Sequence, residues 1–114
     1  METSIRPLTS LRGKTVRWTF EDGPLEGKTF EHSFADDGSV NWCSVSGGSC
    51  GQPHIEKQAS TVALTDDVAL LSYRSSAGNT LTVALNFIDM KLVAYGSNGE
   101  TWSEQRGRFK LVSG

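Results

Sequence analysis

Little in this chain is in excess, and the shortages narrow its class. Cysteine is scarce: Cys43 and Cys50 are the whole supply, too few for the disulfide frameworks that hold small secreted folds together. In a reducing compartment the pair is expected as free thiols. Proline occurs only three times, and Pro7 argues against a helix through the first residues. No apolar run approaches the ~20 residues of a membrane helix. The longest, Val62 to Leu71, is interrupted by Asp66 and Asp67, so no membrane partner is expected. Neither sign of charge dominates, with 11 basic against 13 acidic side chains and a net charge of −2. Nucleic acid is therefore not an expected partner, because that binding needs a basic footprint. Met1 to Arg12 has no apolar stretch of the signal-peptide kind, and the expected location is cytoplasmic.

Metal and nucleotide chemistry are also poorly supplied. Cys43, Cys50, His54 and His32 are the soft ligands available, and their spacing matches no zinc pattern. No metal and no cofactor is expected. Gly13-Lys14-Thr15 and Gly27-Lys28-Thr29 resemble the end of a phosphate-binding loop. The first glycine of that motif is replaced by Leu8 and Asp22, and both segments lead into strands rather than helices.

What the chain does have is regular punctuation. Turn-forming clusters stand at Glu21-Asp22-Gly23-Pro24, Asp36-Asp37-Gly38, Ser46-Gly47-Gly48, Thr65-Asp66-Asp67, Ala77-Gly78-Asn79, Ile88-Asp89-Met90 and Ser97-Asn98-Gly99. Between them lie short runs of β-branched and aromatic residues. Eight strands are predicted, near 14–21, 28–35, 39–45, 55–64, 68–75, 80–88, 91–96 and 101–112. The fourth is the weakest, since residues 55–59 also suit a helical turn. Residues 1–12 read as an N-terminal arm and 13–114 as a single domain.

Alternation is clearest in three places: Val16, Trp18 and Phe20; Phe30, His32 and Phe34; and Leu81, Val83, Leu85 and Phe87. One apolar face per strand is antiparallel sheet behaviour. An eight-stranded antiparallel sheet can close and lose its edges, leaving an interior packed solid or holding one small ligand. The expected fold is all-β, a single antiparallel up-and-down eight-stranded barrel of lipocalin-like (calycin) type.

Segments 13–20 and 27–34 echo each other, matching Trp18 with His32 on the apolar face and Arg17 with Glu31 on the polar one. His32 is thus expected among core aromatics, as a satisfied core histidine or as a proton-transfer or recognition group. Tyr73 and Arg74 are neighbours, so one of them faces inward. Trp102, Glu104 and Arg106 share a face, outside as an ion pair or inside as a polar handle.

The run from Gly13 through Phe20 and Gly23-Pro24 to His32 resembles the opening of the MoaF family, named for molybdenum cofactor biosynthesis. Leu81-Thr82-Val83-Ala84-Leu85-Asn86-Phe87, Lys91-Leu92-Val93, Ser97-Asn98 and Trp102 to Gly107 resemble later parts of it. The resemblance implies a small lipocalin-like barrel. It also implies kinship with the phenolic acid decarboxylases, which use Tyr, Arg and Glu inside a similar barrel; those residue types stand here as Tyr73, Arg74 and Glu104.

Three functions follow as expectations. The first is a binding barrel for a small apolar or aromatic molecule, with Trp18, Phe20, Phe30, His32, Phe34, Trp42, Tyr73, Phe87, Trp102 and Glu104 as candidate ligand-binding residues. The second is a metal-free lyase or isomerase in the same cavity, using His32 or Glu104 for proton transfer. The third is a filled barrel serving as an interaction module or homodimer partner. The sequence leaves open whether any reaction is catalysed.

Overall fold

A computed structural model describes residues 11–75 and 78–113. Among them there is no helix, and therefore none long and apolar enough to cross a membrane. There are ten strands: β1 (Thr15–Phe20), β2 (Thr29–Phe34), β3 (Val40–Ser46), β4 (Ser49–Cys50), β5 (His54–Glu56), β6 (Ala59–Ala63), β7 (Val68–Arg74), β8 (Thr80–Asn86), β9 (Lys91–Ser97) and β10 (Trp102–Ser113). All described pairings are antiparallel. The order across the sheet is β4-β3-β2-β1-β10-β9-β8-β7-β6, with β5 also paired to β3.

The period-two pattern sets which face is inside. Val16, Trp18 and Phe20 of β1 are buried, as are His32 and Phe34 of β2, Val83 and Leu85 of β8, and Leu92 and Ala94 of β9. Arg17 and Glu31 meet on the outer face, with Arg17 Nη2 2.7 Å from Glu31 Oε1. Of the expected arm, residues 1–10 lie outside the described residues, while Leu11 is buried in the core. Ala77 of one expected turn also lies outside them.

The sheet is all-β and antiparallel, as expected, but it is not a closed eight-stranded barrel. The predicted strand 55–64 is broken at Lys57-Gln58. Its first piece, β5, pairs with β3, and its second, β6, pairs with β7 at the far end of the sheet. The chain therefore spans the seam covalently where a closed barrel would have a ladder. Glu56 accounts for the break: it is only 4% exposed and bonds inward, whereas Ile55 beside it faces out. The strand's apolar phase is thereby inverted at this point.

The cysteines also depart from expectation, since Cys43 and Cys50 are joined in a disulfide. Gly47 and Gly48 both adopt positive φ, which a two-residue hairpin turn demands. That turn folds β4 back onto β3 and brings the two cysteine Cα atoms to 5.6 Å, within bridging range.

Strand β10 passes close to β1 at Gly107, opposite Phe20. A Cβ there would collide with the Thr19 carbonyl oxygen and approach Phe20 Cα to 3.0 Å. A Gly107→Ala substitution is expected to cost about 2 kcal/mol or more, the scale of overpacking against unyielding backbone. Gly99→Ala, with open space around its Cβ, should be near neutral. Urea unfolding midpoints of the two variants check this, and equal midpoints would contradict the close approach.

Candidate functional site

The interior divides along the strands. At one end Leu11, Val16, Phe34, Val40, Ala69, Leu85, Leu92 and Phe109 pack into a continuous core. At the other end a cavity of about 220 Å³ remains, lined by Trp18, Phe20, Leu25, Phe30, His32, Trp42, Tyr73, Ser75, Asn79 and Leu81. Leu25 comes from the β1–β2 turn, and Ser75 and Asn79 come from the β7–β8 connection.

Four rings form a column, of which Trp18, His32 and Trp42 line the cavity and His54 is exposed. Trp18 stacks on His32 at 4.1 Å with planes 16° apart. His32 and Trp42 are near-parallel at 6.0 Å, and Trp42 stacks on His54 at 4.3 Å. Strand register produces the order, because His32 lies opposite Trp42 and Trp42 opposite His54. Phe30 meets both Phe20 and Trp42 edge-on, at 5.9 and 6.1 Å, the geometry ring quadrupoles prefer.

Two polar tethers hold the column. His32 Nε2 lies 3.0 Å from the Tyr73 hydroxyl, joining β2 to β7 through the interior. Trp42 Nε1 donates to Glu56 Oε2 at 3.0 Å. Burial pushes the His32 pKa down to about 3, so the imidazole is neutral across the physiological range. Burial also raises the Tyr73 pKa, and the Glu56 carboxylate adds to the rise; the phenol keeps its proton. Three buried polar atoms have no hydrogen-bond partner among the described residues: Trp18 Nε1, His32 Nδ1 and Gln105 Oε1.

Of the expected binding residues, Trp18, Phe20, Phe30, His32, Trp42 and Tyr73 meet around this cavity. Phe34 faces inward but lies toward the filled end, opposite Val40. Phe87 packs edge-on against Phe109 at 5.0 Å, also away from the cavity. Trp102 and Glu104 are on the outer face. Trp102 is 70% exposed beside Tyr95, and Glu104 Oε2 accepts from Arg106 Nη2 at 2.9 Å and from the Tyr95 hydroxyl at 3.3 Å. Arg74 is exposed, so Tyr73 is the inward member of its pair.

The parity of β10 explains the outward placement. Glu104, Arg106, Arg108 and Lys110 alternate with Ser103, Gln105, Gly107 and Phe109. The charged set cannot be buried cheaply, so Trp102 goes out with it. Sequence reasoning also missed Leu25, an apolar residue just after the Glu21–Pro24 turn cluster, and Glu56, for which no signal existed.

No family model matches the chain, and no curated protein matches it. Among solved structures it is similar to a crystal structure from Burkholderia vietnamiensis described as a "putative beta-lactamase". The TM-score is 0.73 over 96% of this chain and 100% of that one, at 14% identity. This likeness shows the fold alone.

The depressed pKa of His32 makes stability depend on pH. In the unfolded chain the imidazole takes a proton near pH 6.5, and in the folded chain only near 3. Between these values the unfolded state holds the extra proton. The contribution is complete above pH 6.5 and lost as pH falls toward 3, with a slope of about 1.4 kcal/mol per pH unit. Urea unfolding at pH 7, 6 and 5 should show this fall, and a His32→Gln chain should lack it. A flat wild-type profile would refute the buried neutral imidazole.

Proposed function

We propose that the protein binds a small, flat, largely apolar molecule in the cavity beside the Trp18–His32–Trp42 column. The observation that carries this reading is the void itself, about 220 Å³ and walled mainly by aromatic rings. Three tryptophans and five phenylalanines were numerous enough to fill the interior, yet one end is left open. An apolar cavity of about 150 Å³ already accepts benzene, so this one suits a single substituted ring. Larger ligand pockets begin near ~300 Å³. The MoaF-like resemblance belongs to the same proposal, because a lipocalin-like barrel keeps its ligand in this interior.

A lyase or isomerase reading keeps His32 and Tyr73 in the wall, but Glu104 is engaged outside with Arg106 and Tyr95. A beta-lactamase reading, suggested by the description of the solved neighbour, finds no Ser-x-x-Lys spacing anywhere in the chain. Binding is the reading the geometry favours. A Cys43–Cys50 bridge persists where thiols are oxidised, so the cytoplasmic expectation suits only the reduced pair.

Native mass spectrometry and toluene titration test the proposal. Toluene should bind the wild-type chain and perturb its tryptophan fluorescence. Leu81→Trp, which fills the cavity from β8, should abolish binding, and Trp102→Ala on the outer face should leave it intact. Binding insensitive to Leu81→Trp would place the ligand elsewhere.

A further inference from the structure

The outer face of the sheet carries a row of side chains that the cavity does not use. Register places Arg17 of β1 opposite Glu31 of β2, and Glu31 opposite Cys43 of β3. Directly opposed residues share a face, so these three side chains stand together. The Gly47-Gly48 turn then brings Cys50 of β4 back beside them. One carboxylate oxygen of Glu31 and the two sulfurs lie within 4.8 Å of one another. The three residues come from three strands, which is why the cysteine spacing alone matches no zinc pattern.

The Glu31 carboxylate is already aimed. Arg17 Nε and Nη2 both donate to Glu31 Oε1, at 3.0 and 2.7 Å. The second oxygen, Oε2, lies 3.6 Å from Cys50 Sγ. A disulfide sulfur has no proton, so Oε2 gains no hydrogen bond from it. With the cysteines reduced, the same place suits a cation. Zinc takes thiolate sulfur at about 2.3 Å and carboxylate oxygen at about 2.0–2.2 Å, which sets neighbouring ligand atoms roughly 3–4 Å apart. Oε2 and Cys50 Sγ stand at that spacing. The cysteine Cα atoms are 5.6 Å apart, so side-chain rotation can bring the released sulfurs to it. A ligating carboxylate is ordinarily oriented by a further hydrogen bond, and Arg17 supplies that here. The charges also balance: two thiolates and a carboxylate face a divalent ion and the Arg17 guanidinium. Cys43 is buried but Cys50 is exposed, which leaves the fourth position to water.

We propose that Glu31, Cys43 and Cys50 form a zinc site in the reduced protein, with the Cys43–Cys50 disulfide as its metal-free oxidised form. The two forms interconvert by thiol–disulfide exchange. A dithiol gives two electrons and two protons to the sulfur–sulfur bond and leaves as its own cyclic disulfide. Zinc then displaces the two thiol protons. An external disulfide takes the two electrons back, remakes the bridge and releases the ion.

The test uses the full chain, reduced with dithiothreitol and freed of it without air, then titrated with Co²⁺ and with Zn²⁺. The reduced chain should take up one Co²⁺, with thiolate-to-cobalt absorption and the visible bands of a tetrahedral ion, and Zn²⁺ should bleach both. The oxidised chain should bind neither ion. Cys50→Ser, at an exposed position, should bind zinc at least about a hundredfold more weakly. Glu31→Gln should keep the thiolate absorption but lose at least about tenfold in affinity, the lower end of the loss from removing a supporting group. Near-ultraviolet tryptophan dichroism reports whether each chain is folded. Zinc uptake by the reduced wild type no stronger than by Cys50→Ser overturns the proposal. Equal affinities of wild type and Glu31→Gln overturn the three-residue site. A reduced chain that loses its tryptophan dichroism and does not regain it with zinc also overturns it, because the site needs β2, β3 and β4 in register.

Discussion

The open half of the interior depends on one imidazole, His32, held neutral between two indoles. Its ring stacks on Trp18 and runs parallel to Trp42, while Nε2 reaches the Tyr73 hydroxyl across the sheet's interior. Each contact constrains a different freedom. Stacking fixes the ring's plane, and the hydrogen bond fixes its rotation and joins β2 to β7. A protonated ring in the same place would carry a charge with little water to solvate it. The arrangement therefore needs the neutral form, and burial supplies it.

That anchor explains why the two ends of the interior differ. At the filled end the inward positions are mostly aliphatic, with Val16, Val40, Leu85 and Leu92 meeting Phe34 and Phe109. Branched aliphatic side chains interdigitate to crystal-like density. At the other end the inward positions are rings and polar groups. Trp42 is tethered to Glu56, and His32 to Tyr73. Rings held at their edges cannot slide together to fill the gap between them. The cavity lies where rings and hydrogen-bonded polar groups, rather than interdigitating aliphatic side chains, face inward.

Much of this was legible in the sequence, for a physical reason. Where a strand has one apolar and one polar face, parity fixes each side chain's direction, so β1, β2 and β8 were placed correctly. The echo between segments 13–20 and 27–34 put His32 with the core and Arg17 opposite Glu31, and both hold. The misreadings came where a single residue outweighs the pattern. Trp102 looked like a wall residue until the charged positions that share its face are considered. Glu56 was invisible because an acidic side chain beside Ile55 is ordinarily the exposed one. Its bond to Trp42 reverses that order, and the information lies on β3, not in the local run. The disulfide depended likewise on a turn, Gly47-Gly48, whose conformation brings distant sulfurs together.

The same tethers bear on how the sheet is closed. A lipocalin-like barrel seals itself with backbone ladders on every side. Here β6 and the β3–β5 end share no ladder among the described residues, and the chain crosses between them through Lys57-Gln58. The Arg74 amide bonds the Gln58 carbonyl at 3.2 Å next to this crossing. Among the described residues, the His32–Tyr73 hydrogen bond also ties β2 to β7 through the interior. Fold and site therefore compete for the same groups. A substitution that packed this end solid would strengthen the seam and erase the space a ligand needs, the usual conflict between stability and a preformed site.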